Sequence, residues 1–162
     1  MMIKNLFYAL AFFISISFLA CSDDDDNSSS SSNSNDPLVG EWDVVEVSFT
    51  YEDTETGDII EESFDATICD PNPTAKFNSD GSATLSSIGF DVDIDENVTC
   101  ENYGIVNGTW ERAGENNYPI TFEEETLEIE TIFSNNNNTV ILRYTEEDEG
   151  EIETENMKLV RQ

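Results

Sequence analysis

The densest grouping of residues able to hold a cation is Asp91-Val92-Asp93-Ile94-Asp95-Glu96-Asn97, whose Asp-x-Asp-x-Asp opening is that of an EF-hand-type calcium loop. The rest of the loop chemistry is missing. The sixth position, where a glycine makes the sharp turn, is Glu96, and the twelfth, where a bidentate glutamate completes the shell, is Asn102. Phe90, Val92 and Ile94 alternate with the acids, which fits a half-buried strand whose outer face carries carboxylates about 7 Å apart. Weak surface cation binding is the remaining use for them. Catalysis has few resources: the chain has no histidine to act as a base and no Gly-x-Ser-x-Gly elbow. Carboxylates are so numerous that no pair stands out as suited to glycoside cleavage. The reading is no enzyme, no cofactor and no metal site. Trp42 and Trp110 could line a ligand pocket, but large aromatics at strand starts more often plug the base of a small barrel. The ligand-binding residues themselves are not legible. What chemistry is left belongs to three cysteines, Cys21, Cys69 and Cys100.

Cys21 follows a positively charged start at Lys4 and an uncharged apolar run from Leu6 to Ala20, the order of a secretory signal peptide over residues 1–20. As a helix that run would reach about 22 Å, short of the ~30 Å hydrocarbon core, so it is a signal rather than a span. Its ending, Phe18-Leu19-Ala20-Cys21, resembles the bacterial lipobox, in which a small residue before cysteine permits cleavage once the thiol carries lipid. Phe18 departs from the usual Leu or Val. The acidic block Ser22-Asp23-Asp24-Asp25-Asp26 resembles the surface-export signal of Bacteroidetes-type lipoproteins; the plainer reading is a solvated spacer. Asn27 to Asp36 is mostly Ser and Asn, too polar to bury, so residues 21–36 form a lipidated, flexible tether. The folded domain is expected over residues 37–162. The expected location is the outer membrane, lipid-anchored and exposed at the cell surface, with the membrane as first partner.

With Cys21 claimed by lipid, Cys69 and Cys100 are an even pair in an oxidising compartment, which reads as a disulfide. A two-cysteine metal site would lack soft ligands. The bridge should tie the Asp70-Pro71-Asn72-Pro73 break to the loop leading into Gly108-Thr109-Trp110. After cleavage, 36 acidic residues face five basic ones, a formal charge near −31. That excludes nucleic acid as a partner and disfavours an anionic membrane surface.

From Gly40 onward the pattern is period two, punctuated by turn residues, with no helical stripe beyond two turns. Glu41 to Tyr51 forms a first strand whose apolar phase slips near Val44, predicting a bulge. Further strands are expected at Ile59–Thr67, Thr74–Asn78, Ser82–Ile88, Tyr103–Ala113, Tyr118–Phe122, Thr126–Phe133, Thr139–Thr145 and Glu153–Val160. Asp80-Gly81 is the strongest hairpin signal. The fold class is all-β: an antiparallel up-and-down meander of eight or nine strands, closed as a barrel or folded as a β-sandwich.

Three motifs in order, Leu38-Val39-Gly40-Glu41-Trp42, Cys69 ahead of Phe77-Asn78-Ser79-Asp80-Gly81, and Cys100 ahead of Gly108-Thr109-Trp110, resemble the lipocalin-like lipoproteins of Bacteroidetes-type bacteria over residues 38–160. The resemblance implies a lipocalin-like barrel with an interior pocket and supplies no enzymatic activity. It points to a non-enzymatic surface lipoprotein holding a small apolar (hydrophobic) ligand. The alternative is a structural or adhesive module whose barrel is filled by its own side chains and whose exterior binds a protein, glycan or divalent cation. An interior void of a few hundred Å³ separates the two.

Overall fold

The computed structural model describes residues 35–93, 97–123, 125–148 and 150–162. The signal peptide, Cys21, the Asp23 to Asp26 block and most of the tether lie outside the described residues. Nine strands form: β1 Gly40–Asp53, β2 Ile59–Asp65, β3 Thr74–Phe77, β4 Ser82–Val92, β5 Val98–Trp110, β6 Asn117–Phe122, β7 Glu125–Ser134, β8 Thr139–Asp148 and β9 Glu151–Arg161. A single 3₁₀ turn, Ala66–Ile68, follows β2. All neighbours are antiparallel, and β1 pairs with both β3 and β9, so β1 and β3 to β9 close an eight-stranded barrel. The all-β meander is therefore a barrel and not a sandwich, with β2 as one extra strand.

The extra strand has a simple origin. β1 climbs from the chain's entry point; its lower part, Gly40 to Asp43, pairs with β3 and its upper part, Glu46 to Glu52, with β2, both on the same edge. β2 and β3 are two pieces of one descending strand, interrupted where Asp65 accepts from the Thr67 N–H at 2.9 Å and Pro71 and Pro73 withhold donors. The predicted bulge is present, as the β1–β9 register shifts between Val44 and Glu46.

One end of the barrel is closed and filled. Leu38, Trp42, Tyr118, Val140 and Leu159 are fully buried there, beside Phe77, Trp110 and Ile120. Both indole N–H groups are satisfied: Trp42 Nε1 donates to the Leu38 carbonyl at 2.9 Å and Trp110 Nε1 to the Asn78 carbonyl at 3.1 Å. Gly108 lets β6 come close, for a Cβ there would collide with the Thr121 carbonyl oxygen and the Phe122 ring. Gly81 takes φ +86° in the β3–β4 turn, and its carbonyl accepts from the Trp110 N–H at 2.7 Å.

Two expectations need correcting. The acidic alternation after Ile88 is no separate strand: β4 runs on to Val92, already 48 % exposed, and Asp93 then closes a turn. Its Oδ1 and Oδ2 accept from the Asn97 backbone N and Nδ2, each at 2.9 Å. Ile94, Asp95 and Glu96 lie outside the described residues. Cys69 and Cys100 are bonded, with Cα atoms 5.2 Å apart, but Cys100 sits within β5, opposite Phe90, rather than in a loop ahead of it. The bridge thus fastens the β4–β5 hairpin to the break between β2 and β3.

Candidate functional site

Away from its closed end the barrel flares. Directly opposite residues on antiparallel strands share a face, so the registers of β2, β1, β9 and β8 give the inner surface as rungs. The lowest is Phe64, Val47, Met157 and Leu142; the next is Glu62, Phe49, Glu155 and Tyr144; the uppermost is Ile60, Tyr51, Glu153 and Glu146. Val47 and Leu142 are buried, which fixes this face as the inward one. Phe49 meets Phe64 edge-on at 6.2 Å, and Phe64 stacks on Phe90 of β4 at 4.9 Å, spanning the gap between β2 and β4.

The surface so built passes from apolar to acidic within two rungs. Burial, with Glu153 beside it, pushes the Glu155 carboxyl above the usual range. Tyr51 is raised by burial and then by Glu153, Tyr144 by burial and then by Glu146. The mouth therefore sets carboxylates beside its aromatic rings. Among the described residues no group of three or more Asp, Glu, His or Cys is placed to hold a metal ion.

Four of the domain's five basic residues, Lys76, Arg112, Lys158 and Arg161, lie below the lowest rung, whereas Arg143 sits on β8 between Leu142 and Tyr144, just above it. Lys76 pairs with Glu41 at 2.6 Å, Arg112 with Asp36 at 3.4 Å, Arg143 with Glu130 at 3.1 Å and Lys158 with Glu46 at 3.2 Å. Arg161 lies 4.2 Å over the Trp42 ring and donates to the carbonyls of Pro37 at 2.7 Å and Val39 at 2.9 Å. β2, β4, β5 and β7 carry no Lys or Arg, nor does β1 or β8 beyond these pairs. Above the Arg143–Glu130 pair the flared half carries acids and no Lys or Arg.

The outer wall also opens there. β5 pairs with β6 only at Gly108 to Trp110; β6 ends at Phe122, opposite Gly108, and β5 runs on past the β6–β7 turn. A cleft of about 380 Å³ at the fork is lined by Ile105, Val106, Asn107, Phe122, Glu123 and Glu125. A second, of about 400 Å³, lies below it against Thr109, Thr121 and Thr126.

No protein-family model matches the chain, and no curated protein matches it either.

Of the residues singled out from sequence, Cys69 and Cys100 come together, while Trp42 and Trp110 are buried in the closed end, Trp110 also bordering the cleft beside Thr109 and Thr121. Sequence reasoning missed Asp36, assigned to the tether. Its side chain is only 5 % exposed and closes the base: Oδ1 accepts from the Leu38 N–H at 2.8 Å and from the Tyr118 hydroxyl at 3.1 Å. The Tyr118 hydroxyl is pushed up to about 12 by burial first and Asp36 second. The inward Glu62, Glu153 and Glu155 were missed as well, because acids alternating with apolar residues read as an outer face.

Proposed function

We propose that this chain is a non-enzymatic lipoprotein of the lipocalin-like kind, anchored through lipid on Cys21 at the outer face of the outer membrane, whose barrel is a scaffold for binding a partner at its flared half. The observation that carries this reading is the division of the molecule. The closed half is filled by Trp42, Trp110, Tyr118 and Leu159 and holds four of the five basic residues, whereas the flared half is acidic above the Arg143–Glu130 pair, open and rich in exposed apolar side chains. A filled base speaks for the adhesive alternative over a deep apolar pocket. The lipobox-like ending and the acidic block after it support the address.

One observation favours a second reading. The rung of Glu62, Phe49, Glu155 and Tyr144 offers aromatic faces next to carboxylates, which suits a small ligand with an apolar body and a positive head.

Cell fractionation tests the address. Cys21→Ser should move the protein out of the membrane fraction, and changing Asp23 to Asp26 into Ala should leave it lipidated but shielded from added protease. Retention of the Cys21→Ser variant in the membrane rejects the lipid anchor. Native mass spectrometry of protein from its own host distinguishes the readings of the barrel: a retained small amine supports the mouth, and none supports the exterior.

A further inference from the structure

We infer that the outer edge of β5, from Val98 to Asn107, is a strand-addition site for an extended, basic peptide segment of a partner protein. This rests on the reading of the flared half as a binding surface and names what binds there. β5 has β4 on one side from Val98 to Thr109, with a bulge at Tyr103. On the other side, among the described residues, it has a ladder partner only at Gly108 to Trp110. Along residues 98–107 alternate backbone amides and carbonyls point to that edge, and apart from the Gly104 N–H, which donates to Asn102 Oδ1 at 2.8 Å, they are the donors and acceptors that a further strand completes.

Three further features separate this edge from an ordinary exposed one. Glu101 to Asn107 are exposed on both faces of the strand, and the exposed set includes Tyr103 at 66 %, Ile105 at 68 % and Val106 at 38 %. Exposed edges are usually blunted by lysine, proline or a bulge; this one has no lysine or proline, and its one irregularity is the bulge at Tyr103, which turns that ring outward. The cleft at the fork continues the edge downward, so a strand laid along β5 would end against Phe122 with Glu123 and Glu125 beside it.

Charge selects the occupant. The ionisable groups bordering the edge, Glu101, Glu123 and Glu125, are all acids, and no Lys or Arg lies on β4, β5, β6 or β7. A second copy of this chain would bring the same charge to the same place. A segment alternating basic and apolar residues puts its apolar side chains against Ile105 and Tyr103 and its cations toward the glutamates, using the period of two that a strand imposes.

The test uses the purified mature protein with its disulfide intact and a synthetic peptide of alternating lysine and valine. Its companions are a glutamate–valine version and a lysine–valine version N-methylated at alternate amides. The expected result is saturable binding of the first peptide, none of the second, and at least tenfold weaker binding of the third. Amides of residues 98–107 should exchange more slowly with solvent in the complex. Glu123→Gln with Glu125→Gln should weaken binding about fivefold and reduce its salt dependence, and Ile105→Thr, at an exposed position, should weaken it further without loss of fold. Equal binding of the N-methylated peptide reduces the effect to bulk electrostatics and overturns the proposal. So does protection appearing on β2 instead, or a peptide-resistant dimer that Ile105→Lys dissolves, which would give the edge to a second copy. None of these results depends on where the protein is displayed, so failure here leaves the lipid anchor standing.

Discussion

Asp36 is the residue on which the closed end turns, because one carboxylate serves a backbone N–H, a buried phenol and the Arg112 guanidinium at once. Asp36→Ala leaves the Tyr118 hydroxyl without its acceptor. It should cost about 1–3 kcal/mol, the usual cost of orphaning a buried polar group, read by urea denaturation; an unchanged midpoint would show that water replaces the carboxylate. Glu155 works in the opposite sense. Its folded pKa lies above its unfolded one, so at neutral pH the charged carboxylate destabilises the fold, and that penalty fades as pH falls through the folded value. Glu155→Gln should therefore raise Tm at pH 7 and lose the advantage progressively toward pH 4, when each pH is compared with the parent. A gain that persists at pH 4 would point to packing rather than charge. Neither residue was legible as such. Asp36 ends a Ser and Asn run whose composition hides it, and Glu155 sits in an acidic strand whose inward phase only the register with Val47 and Leu142 reveals.

Strand order and pairing were far more legible than strand height. Period two, the Asp80-Gly81 turn and the phase slip at Val44 placed eight of the nine strands to within a few residues. The Asp70 to Pro73 break foretold the division between β2 and β3, since proline withholds the donor a ladder needs. The misplaced piece was Cys100. Its surroundings, polar Thr99, Glu101 and Asn102, carry no apolar alternation, because that part of β5 is exposed on both faces and burial imposes no pattern on it. The disulfide therefore holds an element that has little core of its own. Removing it with Cys69→Ala and Cys100→Ala, across a separation of 31 residues, should cost about 3–4 kcal/mol in the chain-entropy model. Protease should then cut first between residues 86 and 105. Cleavage appearing first in β8 or β9 would show that Phe64 on Phe90 suffices to hold the hairpin.

At the scale of the whole molecule the governing fact is the uneven placing of charge. In a meander, alternate strands reverse direction, so Lys76, Arg112, Lys158 and Arg161 arrive below the lowest rung, with Arg143 just above it. The total charge was plain from composition, but its segregation needed the fold. Repulsion within the flared half should be relieved by screening, whose length falls from about 10 Å at 0.1 M salt to about 3 Å at 1 M. Tm should rise by several degrees over that range in sodium chloride, and a flat response would mean that the carboxylates are already neutralised by bound cations. The chain's point of entry has a mechanical side. Asp36 lies at the closed end and β1 climbs from it between β9 on one edge and β3 and β2 on the other. Force applied to the chain at Asp36 and resisted at the upper wall therefore loads β1 along its own axis. The hydrogen bonds of both ladders then share the force in shear and must fail together, whereas a chain entering from the rim would peel them apart one rung at a time.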